Sequence, residues 1–277
     1  RSLVGSEMCI RDREKMFIKN LKKLTVAALA VVCMIPAGVS SANVENVSRI
    51  AGEDRIATSI EISKAMFNES DNVVLASGFN FADALSAGQL AAALNAPLIL
   101  SKDQLDSRTS DEIAKLKPKN IYIVGGETAL SSNIEESVKS VVNDINIERL
   151  KGNDRYETSV KVMEKTKEFV DAEYLLIASG KNFPDALSAT SFMADHKALM
   201  VLSDGNSYPK SDLQEIAIGG VNQLPLNGFT GERIAGNDRY QTALAIARRS
   251  FENNENAILA NSKVFADSLS AVSLSLI

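Results

Sequence analysis

From about residue 50 onward, short apolar runs alternate with longer segments in which apolar and polar residues are mixed at helical spacing. The apolar runs predict strands at 73–76, 97–100, 120–124 and 147–150. The mixed segments predict helices at 55–68, 84–94, 110–116 and 132–142. Apolar, β-branched strands that alternate with helices are typical of a parallel sheet covered on both faces. The pattern therefore predicts an α/β fold.

Two aspartates precede predicted helices. Asp54 stands before the first helix and Asp83 before the second. An aspartate at such a position can accept hydrogen bonds from the free N–H groups of the first turn. We therefore predict that both are helix caps.

Two sequence blocks recur three times in the same order. The arginine block, Arg-x-x-Gly-x-Asp-Arg, occupies 49–55, 149–155 and 233–239. The serine–aspartate block, typified by Ala-Ser-Gly-x-x-Phe-x-Asp-Ala-Leu-Ser-Ala, occupies 76–87, 178–189 and 260–271. Two ordered blocks at near-constant spacing indicate tandem repeats.

The repeats divide the chain into units 43–148, 149–232 and 233–277. Unit 2 repeats the predicted strands at 174–178, 198–202 and 215–218, and its Gly219-Gly220 matches Gly125-Gly126 of unit 1. Unit 3 ends inside the helix that follows Asp267, before its second and third strands. We therefore predict two complete units and one truncated unit, with the native protein continuing past residue 277.

The first 42 residues are predicted not to belong to the fold. Residues 16–42 combine a basic stretch, an apolar run and small residues before Ala42, which is typical of a secretory signal peptide. A membrane anchor is the alternative, but Pro36 and Gly38 interrupt the run, and a spanning helix needs about 20 apolar residues. Residues 1–15 resemble translated sequencing-adapter sequence and are predicted to be a non-native artefact.

Composition excludes several classes of function for the remaining chain. It carries 23 basic and 32 acidic residues, and both cysteines lie before residue 43. An acidic chain is a poor nucleic-acid binder, and a chain without cysteine has no disulfide or Cys-ligated zinc site. With His196 as its one histidine, the sequence shows no catalytic constellation, cofactor site or metal cluster.

The repeated polar residues are the candidate site. The second arginine of each arginine block has two possible roles. It either bonds to a neighbouring carbonyl or carboxylate of the protein, or it binds an anionic ligand. These residues are Arg55, Arg155 and Arg239. The serine–aspartate block joins a strand end to a helix start, where ligands bind in open α/β sheets. Its candidate ligand contacts are Ser77, Gly78, Asp83, Ser179, Gly180, Asp185 and Asp267. Phe81, Phe183 and Phe265 are predicted core anchors.

Two further residues do not recur between units. Glu127 follows Gly125-Gly126 and suggests a metal-binding carboxylate, but Val221 stands at the matching position of unit 2. His196 is predicted to be a surface residue at a polar helix end.

The blocks resemble the cell wall-binding repeat type 2 family of Gram-positive surface proteins. Besides the two blocks, the resemblance rests on Pro97-Leu98-Ile99-Leu100-Ser101 and Ile123-Val124-Gly125-Gly126. It implies toprim-like or Rossmann-like units around a pseudo-threefold centre. It also implies non-covalent anchoring of a secreted protein to an anionic wall polysaccharide or teichoic-acid-like polymer, with Leu98, Ile99 and Leu100 as family contact residues.

Two other functions stay open at this stage. One is a wall hydrolase of the amidase type, and the other is an adhesin or surface-layer protein. In both cases the effector domain would lie beyond residue 277. In every case we predict export to the cell wall or surface, no enzymatic activity in this chain and no membrane span after the signal peptide.

Overall fold

The computed structural model describes residues 47–250 and 257–276. The artefact and signal peptide predicted for 1–15 and 16–42 lie outside the described residues. No helix in the described ranges is long and apolar enough to cross a membrane.

Unit 1 is a four-stranded parallel sheet with the strand order β2-β1-β3-β4. Its elements are α1 (Arg55–Met66), β1 (Asn72–Ser77), α2 (Phe81–Ala93), β2 (Leu98–Ser101), α3 (Ser107–Leu116), β3 (Asn120–Val124), α4 (Asn133–Val141) and β4 (Asn146–Leu150). All four predicted strands and all four predicted helices are present, with ends displaced by up to three residues.

Unit 2 repeats the sheet in the order β6-β5-β7-β8. Its elements are α5 (Arg155–Thr166), β5 (Tyr174–Ser179), α6 (Pro184–His196), β6 (Ala198–Ser203), β7 (Gln214–Ile218) and β8 (Glu232–Ile234). Residues 204–213 and 219–231 form loops without a helix where unit 1 has α3 and α4. Unit 2 is shorter for this reason. The described part of unit 3 contains α7 (Arg239–Ser250), α8 (Phe265–Ser270) and the 3₁₀ segment Ala271–Leu276.

The last strand of each sheet straddles a repeat boundary. Arg149, which opens the second arginine block, lies on β4 and is in register with Ile123 of β3. Arg233 lies on β8 and is in register with Ala217 of β7. The second and third arginine blocks therefore each complete the sheet of the unit before them, which ties consecutive units together through backbone hydrogen bonds.

Successive residues of a strand pack their side chains into two different cores. In unit 1, Val73 and Leu75 face an outer core, whereas Val74 and Ala76 face a central core shared by the units. This division follows from the two-residue period of a strand. Both faces of the sheet are apolar, as the uninterrupted hydrophobic runs predicted.

Contacts between helices run cyclically around the three units. Helix α2 of unit 1 packs on α5 of unit 2, α6 of unit 2 packs on α7 of unit 3, and α8 of unit 3 packs on α1 of unit 1. At the centre, α2, α6 and α8 contact one another. The α/β fold and the pseudo-threefold arrangement are thereby confirmed.

The three repeated phenylalanines meet at this centre. The ring centroids of Phe81 and Phe183 are 5.9 Å apart, those of Phe81 and Phe265 are 6.1 Å apart, and those of Phe183 and Phe265 are 5.7 Å apart. Tilted and edge-on contacts at these distances are favourable for aromatic rings. The three residues are therefore core anchors, and they anchor units to one another.

Candidate functional site

The arginine block folds in the same way in all three units. Its glycine N–H donates to a threonine hydroxyl six residues later, with N–O distances of 3.1 Å for Gly52–Thr58 and 3.0 Å for Gly152–Thr158 and Gly236–Thr242. Asp54 accepts from the Ala57 N–H at 2.8 Å, which confirms its predicted role as a cap. The block thus fixes the backbone at the beginning of the first helix of each unit.

The second arginine of each block bonds to a carbonyl of the serine–aspartate block in its own unit, which in units 1 and 2 directly follows a strand. The guanidinium groups donate to the carbonyl oxygens of Gly78, Gly180 and Ser262 over 2.6, 2.8 and 2.8 Å. The donors are Arg55, Arg155 and Arg239, respectively. Bridging to a carbonyl, one of the two predicted roles of these arginines, is therefore present three times. Arg239 is the exposed member of the set.

The repeated aspartates are not helix caps, contrary to the prediction for Asp83. Helix α2 begins at Phe81, and the side chain of Asn80 accepts from the Ala82 N–H. Asp83 lies within the first turn, is 5% exposed and accepts a 2.8 Å hydrogen bond from Asn80 Nδ2. Asp185 and Asp267 likewise lie within the first turns of α6 and α8.

Asp83 and Asp185 lie close enough to the arginine of the next unit for its charge to act on them. Burial raises the pKa of Asp83 to about 6, and the positive charge of Arg155 opposes the rise. Burial also raises the pKa of Asp185, against a hydrogen bond from Thr242 and the charge of Arg239. The carboxyl groups of Asp83 and Asp185 therefore interact electrostatically with the arginines of units 2 and 3 across the unit boundaries.

Several predicted contact residues are covered by the fold. Leu98, Ile99 and Leu100 are at most 1% exposed, so their side chains support the cores and lie away from the surface. Ser77 and Ser179 are also buried. Each accepts a 3.2 Å hydrogen bond from a backbone N–H two residues later, from Phe79 and Lys181 respectively. Gly78 and Gly180 act through the carbonyl oxygens already described.

Two clefts open beside the carboxyl ends of the strands. A cleft of about 420 Å³ in unit 1 is lined by Ser77, Phe79, Asn80, Lys102, Asp103, Thr128 and Ala129. A larger cleft of about 570 Å³ lies between units 2 and 3. Its lining residues are Asn182, Pro184, Asp185, Gly220, Val221, Asn222, Gln223, Gly236, Asn237, Asp238, Arg239 and Thr242. Both volumes fall within the range of about 300–1,000 Å³ typical of small-molecule sites.

Sequence reasoning missed the lysines of this surface. Lys102 follows β2, and Lys181 and Lys263 occupy one repeat position, directly after the residue whose carbonyl binds the block arginine. All three are exposed and make no ion pair within the described ranges. The recurrence of lysine in units 2 and 3 was the available signal, but Phe79 replaces it in unit 1. We call these three residues the rim lysines.

Glu127 and His196 have structural partners. The Glu127 carboxylate accepts a 2.7 Å bond from Lys151, which lowers its pKa. In the chain as described, no group of three or more acidic, histidine or cysteine residues could hold a metal ion. The prediction that His196 is a surface residue is wrong, because it is half-buried and stacks on Phe192 with centroids 4.2 Å apart.

Two known proteins are similar to this chain in sequence. The chain is 27% identical to N-acetylmuramoyl-L-alanine amidase LytC of Bacillus subtilis over 268 residues, which cover 92% of this chain and 52% of LytC. It is 30% identical to the amidase enhancer of the same organism over 247 residues, which cover 85% of this chain and 34% of the enhancer. The chain thus spans about half, or less, of these relatives.

Two solved structures have the same fold. Cwp8 from Clostridium difficile superimposes with a TM-score of 0.73 at 25% identity, covering 82% of this chain and 42% of Cwp8. Cwp6 from the same organism superimposes with a TM-score of 0.70 at 26% identity, covering 85% of this chain and 43% of Cwp6. The family profile described as Cell wall binding domain 2 (CWB2) matches residues 49–135, 149–227 and 233–276. With all three units matched, the chain belongs to the CWB2 family of cell wall binding domains.

Proposed function

We propose that this chain holds a secreted protein non-covalently on the Gram-positive cell wall by binding an anionic wall polymer, a polysaccharide or teichoic-acid-like chain. The observation that carries the proposal is the strand-end surface, which has two open clefts and the exposed rim lysines, of which Lys102 lines the cleft of unit 1. Repetition suits a polymer ligand, because linked weak sites on one chain bind together with increased avidity.

The rim lysines are better placed than the block arginines to contact anionic groups. Arg55 and Arg155 are half-buried and already donate to strand-end carbonyls. A lysine ammonium on a flexible, exposed stem can instead meet phosphate or carboxylate groups at variable positions. Among the predicted polymer contacts, Arg239 and Asp267 remain exposed and belong to the proposed surface.

The experiment is a wall-retention assay on residues 43–277. Purified Gram-positive walls are compared before and after extraction of their anionic polymer, and bound protein is measured at low and high salt. We expect retention only on the intact walls, with weaker retention at high salt because exposed charges are screened. Equal retention on extracted walls would contradict the polymer as ligand.

A second candidate is a role in wall hydrolysis by a longer protein. The likeness to LytC favours it, since that protein is named as an amidase and this chain matches 52% of its length. The part matched here consists of CWB2 units. Release of new amino groups from purified walls by the product of the extended reading frame, but not by residues 43–277, would support this candidate.

A further inference from the structure

The boundary between units 1 and 2 differs from the boundary between units 2 and 3 at two matching positions. Between units 1 and 2, Lys151 and Glu127 face each other across the boundary, with Nζ and Oε1 2.7 Å apart. The matching residues between units 2 and 3 are Ala235 and Val221, which have no charges to pair. The 570 Å³ cleft lies at this second boundary, and Val221 is part of its wall.

The lining of the second cleft is rich in side-chain amides. It contains Asn182, Asn222, Gln223 and Asn237. An amide offers both N–H donors and a carbonyl acceptor, so it can pair with hydroxyl and acetamido groups. Asn182 Nδ2 already donates to Gln223 Oε1 over 2.9 Å, which shows that the two amides can align.

The charged side chains that line the cleft do not favour the binding of an anion. Asp185 and Asp238 contribute two carboxylates, against the single guanidinium of Arg239. That guanidinium already donates to the Ser262 carbonyl, and Asp238 accepts from the Gln241 N–H over 2.8 Å. A phosphate in this cleft would meet excess negative charge, whereas an uncharged sugar ring would not.

We propose that the cleft between units 2 and 3 binds an uncharged, hydroxyl- and acetamido-bearing sugar residue of the wall polymer. The anionic groups of the same polymer then lie outside the cleft, next to the rim lysines. The inference rests on the proposed wall-polymer function and names the part of the polymer that this cleft recognises. It also makes the two boundaries functionally unequal.

A matched pair of glycines provides the test. Gly220 lines the cleft, and Gly126 is its counterpart in unit 1. A β-carbon added at either position meets no atom within 4 Å, so a side chain at either is compatible with the fold. We therefore compare Gly220→Leu with Gly126→Leu, after melting curves show that both variants fold.

The probe is the neutral oligosaccharide that hydrofluoric acid releases from a phosphodiester-linked wall polymer, and inorganic phosphate is the anionic control. By calorimetry we expect Gly220→Leu to weaken oligosaccharide binding by at least about tenfold and Gly126→Leu to change it by less than about twofold. Binding should vary little with salt, and phosphate should not compete.

The outcomes that contradict the proposal separate a wrong cleft assignment from a wrong proposed function. If the unchanged protein binds intact walls but not the neutral oligosaccharide, or if Gly220→Leu binds it normally, the cleft assignment is overturned and wall binding stands. If phosphate competes for the cleft, its assignment to an uncharged sugar is overturned. If the unchanged protein is not retained on intact walls, the proposed function itself fails.

Discussion

Gly125 makes room for the carboxylate of Asp83 at the end of β3. A β-carbon at Gly125 would lie 2.9 Å from Asp83 Oδ2, and the glycine has a φ of 118°. The pair recurs in unit 2, where a β-carbon at Gly219 would lie 2.7 Å from Asp185 Oδ2. The first glycine of the repeated pair after the third strand is therefore explained by the aspartate of the serine–aspartate block.

We predict that Gly125→Ala lowers the free energy of unfolding by about 2–4 kcal/mol. A left-handed backbone costs a residue with a side chain about 1–3 kcal/mol, and the clash with a buried carboxylate adds to this. Urea unfolding measures the change. Gly126→Ala is the control, because its β-carbon meets nothing within 4 Å. Equal free energies of unfolding for the two variants would show that a β-carbon next to Asp83 does not destabilise the fold.

Stability should fall as pH rises from about 4 to about 6 through the titration of Asp83. Its pKa is about 6 in the folded chain, against 3.8 for an unperturbed aspartate. The folded state therefore holds this proton at pH values where the unfolded state has released it, so acid favours folding. The upper limit of the effect is about 3 kcal/mol, from about 1.4 kcal/mol per pKa unit.

Asp83→Asn isolates this contribution. The amide has nearly the same shape but does not titrate, so the free energy of unfolding of the variant minus that of the unchanged protein should rise between pH 4 and pH 7. Asp185, whose pKa is also raised, is present in both proteins and cancels. Parallel pH profiles for the two proteins would contradict the prediction.

Local patterns were sufficient to predict the strands and the first cap. Runs such as 120–124 are apolar and β-branched, and β3 has the predicted bounds. Asp54 caps a helix that begins at the next residue, so its role depends on near neighbours alone. The prediction that Asp83 is a cap was wrong because Asn80 already caps α2. Asp83 instead lies next to Gly125, directly after β3, and near the charge of Arg155 in unit 2.

The roles of the repeated arginines needed the three-dimensional structure. Their recurrence was visible in the sequence, but each partner carbonyl lies 23 to 25 residues further along the chain. The sequence therefore left bridging and ligand contact as alternatives. Assignment of β4 to the first sheet likewise depends on pairing across a repeat boundary, which hydrophobic patterning does not encode.

Replacement of the rim lysines should weaken wall retention without changing stability. The triple variant Lys102→Gln, Lys181→Gln and Lys263→Gln removes three exposed charges that make no ion pair in the described structure. We expect several-fold weaker retention at low salt and a shallower dependence on salt, because fewer charges are screened. Retention across a salt series and a melting curve measure both properties.

Three exposed lysines, two on helices and one directly after a helix, serve as the control for charge alone. Lys139, Lys161 and Lys167 lie outside both clefts. Their combined change to glutamine alters the net charge by the same amount. If both triple variants lose retention equally, the effect comes from net charge and not from the rim.

The central phenylalanine cluster should couple the units. Phe81→Ala removes a ring that touches Phe183 and Phe265, and we expect it to lower the free energy of unfolding by about 3 kcal/mol. Phe79→Ala is the control, because that ring is 59% exposed and its contact with Arg55 is worth only about 1 kcal/mol. Calorimetry should show a broader or divided transition for Phe81→Ala alone.

Gln89 of unit 1 completes the hydrogen bonding of an edge strand in unit 2. Its Nε2 donates to the Met200 carbonyl over 2.9 Å, and its Oε1 accepts from the Met200 N–H over 3.0 Å. The side chain is 2% exposed, so water cannot replace it at the edge of β6. We predict that Gln89→Glu lowers the free energy of unfolding at pH 7 by about 2–4 kcal/mol, because a buried carboxylate would face the Met200 carbonyl without a donor.

The pH dependence of this variant separates charge from shape. A protonated glutamate can donate to the Met200 carbonyl as the amide does, so part of the lost stability should return as pH falls toward 4. Gln89→Ala should cost about 1–3 kcal/mol and show no such recovery, since it leaves the two backbone groups unpaired at every pH. Guanidinium unfolding of both variants at several pH values provides the measurement. Recovery of Gln89→Ala at low pH, or its absence in Gln89→Glu, would show that the amide does not hold units 1 and 2 together in this way.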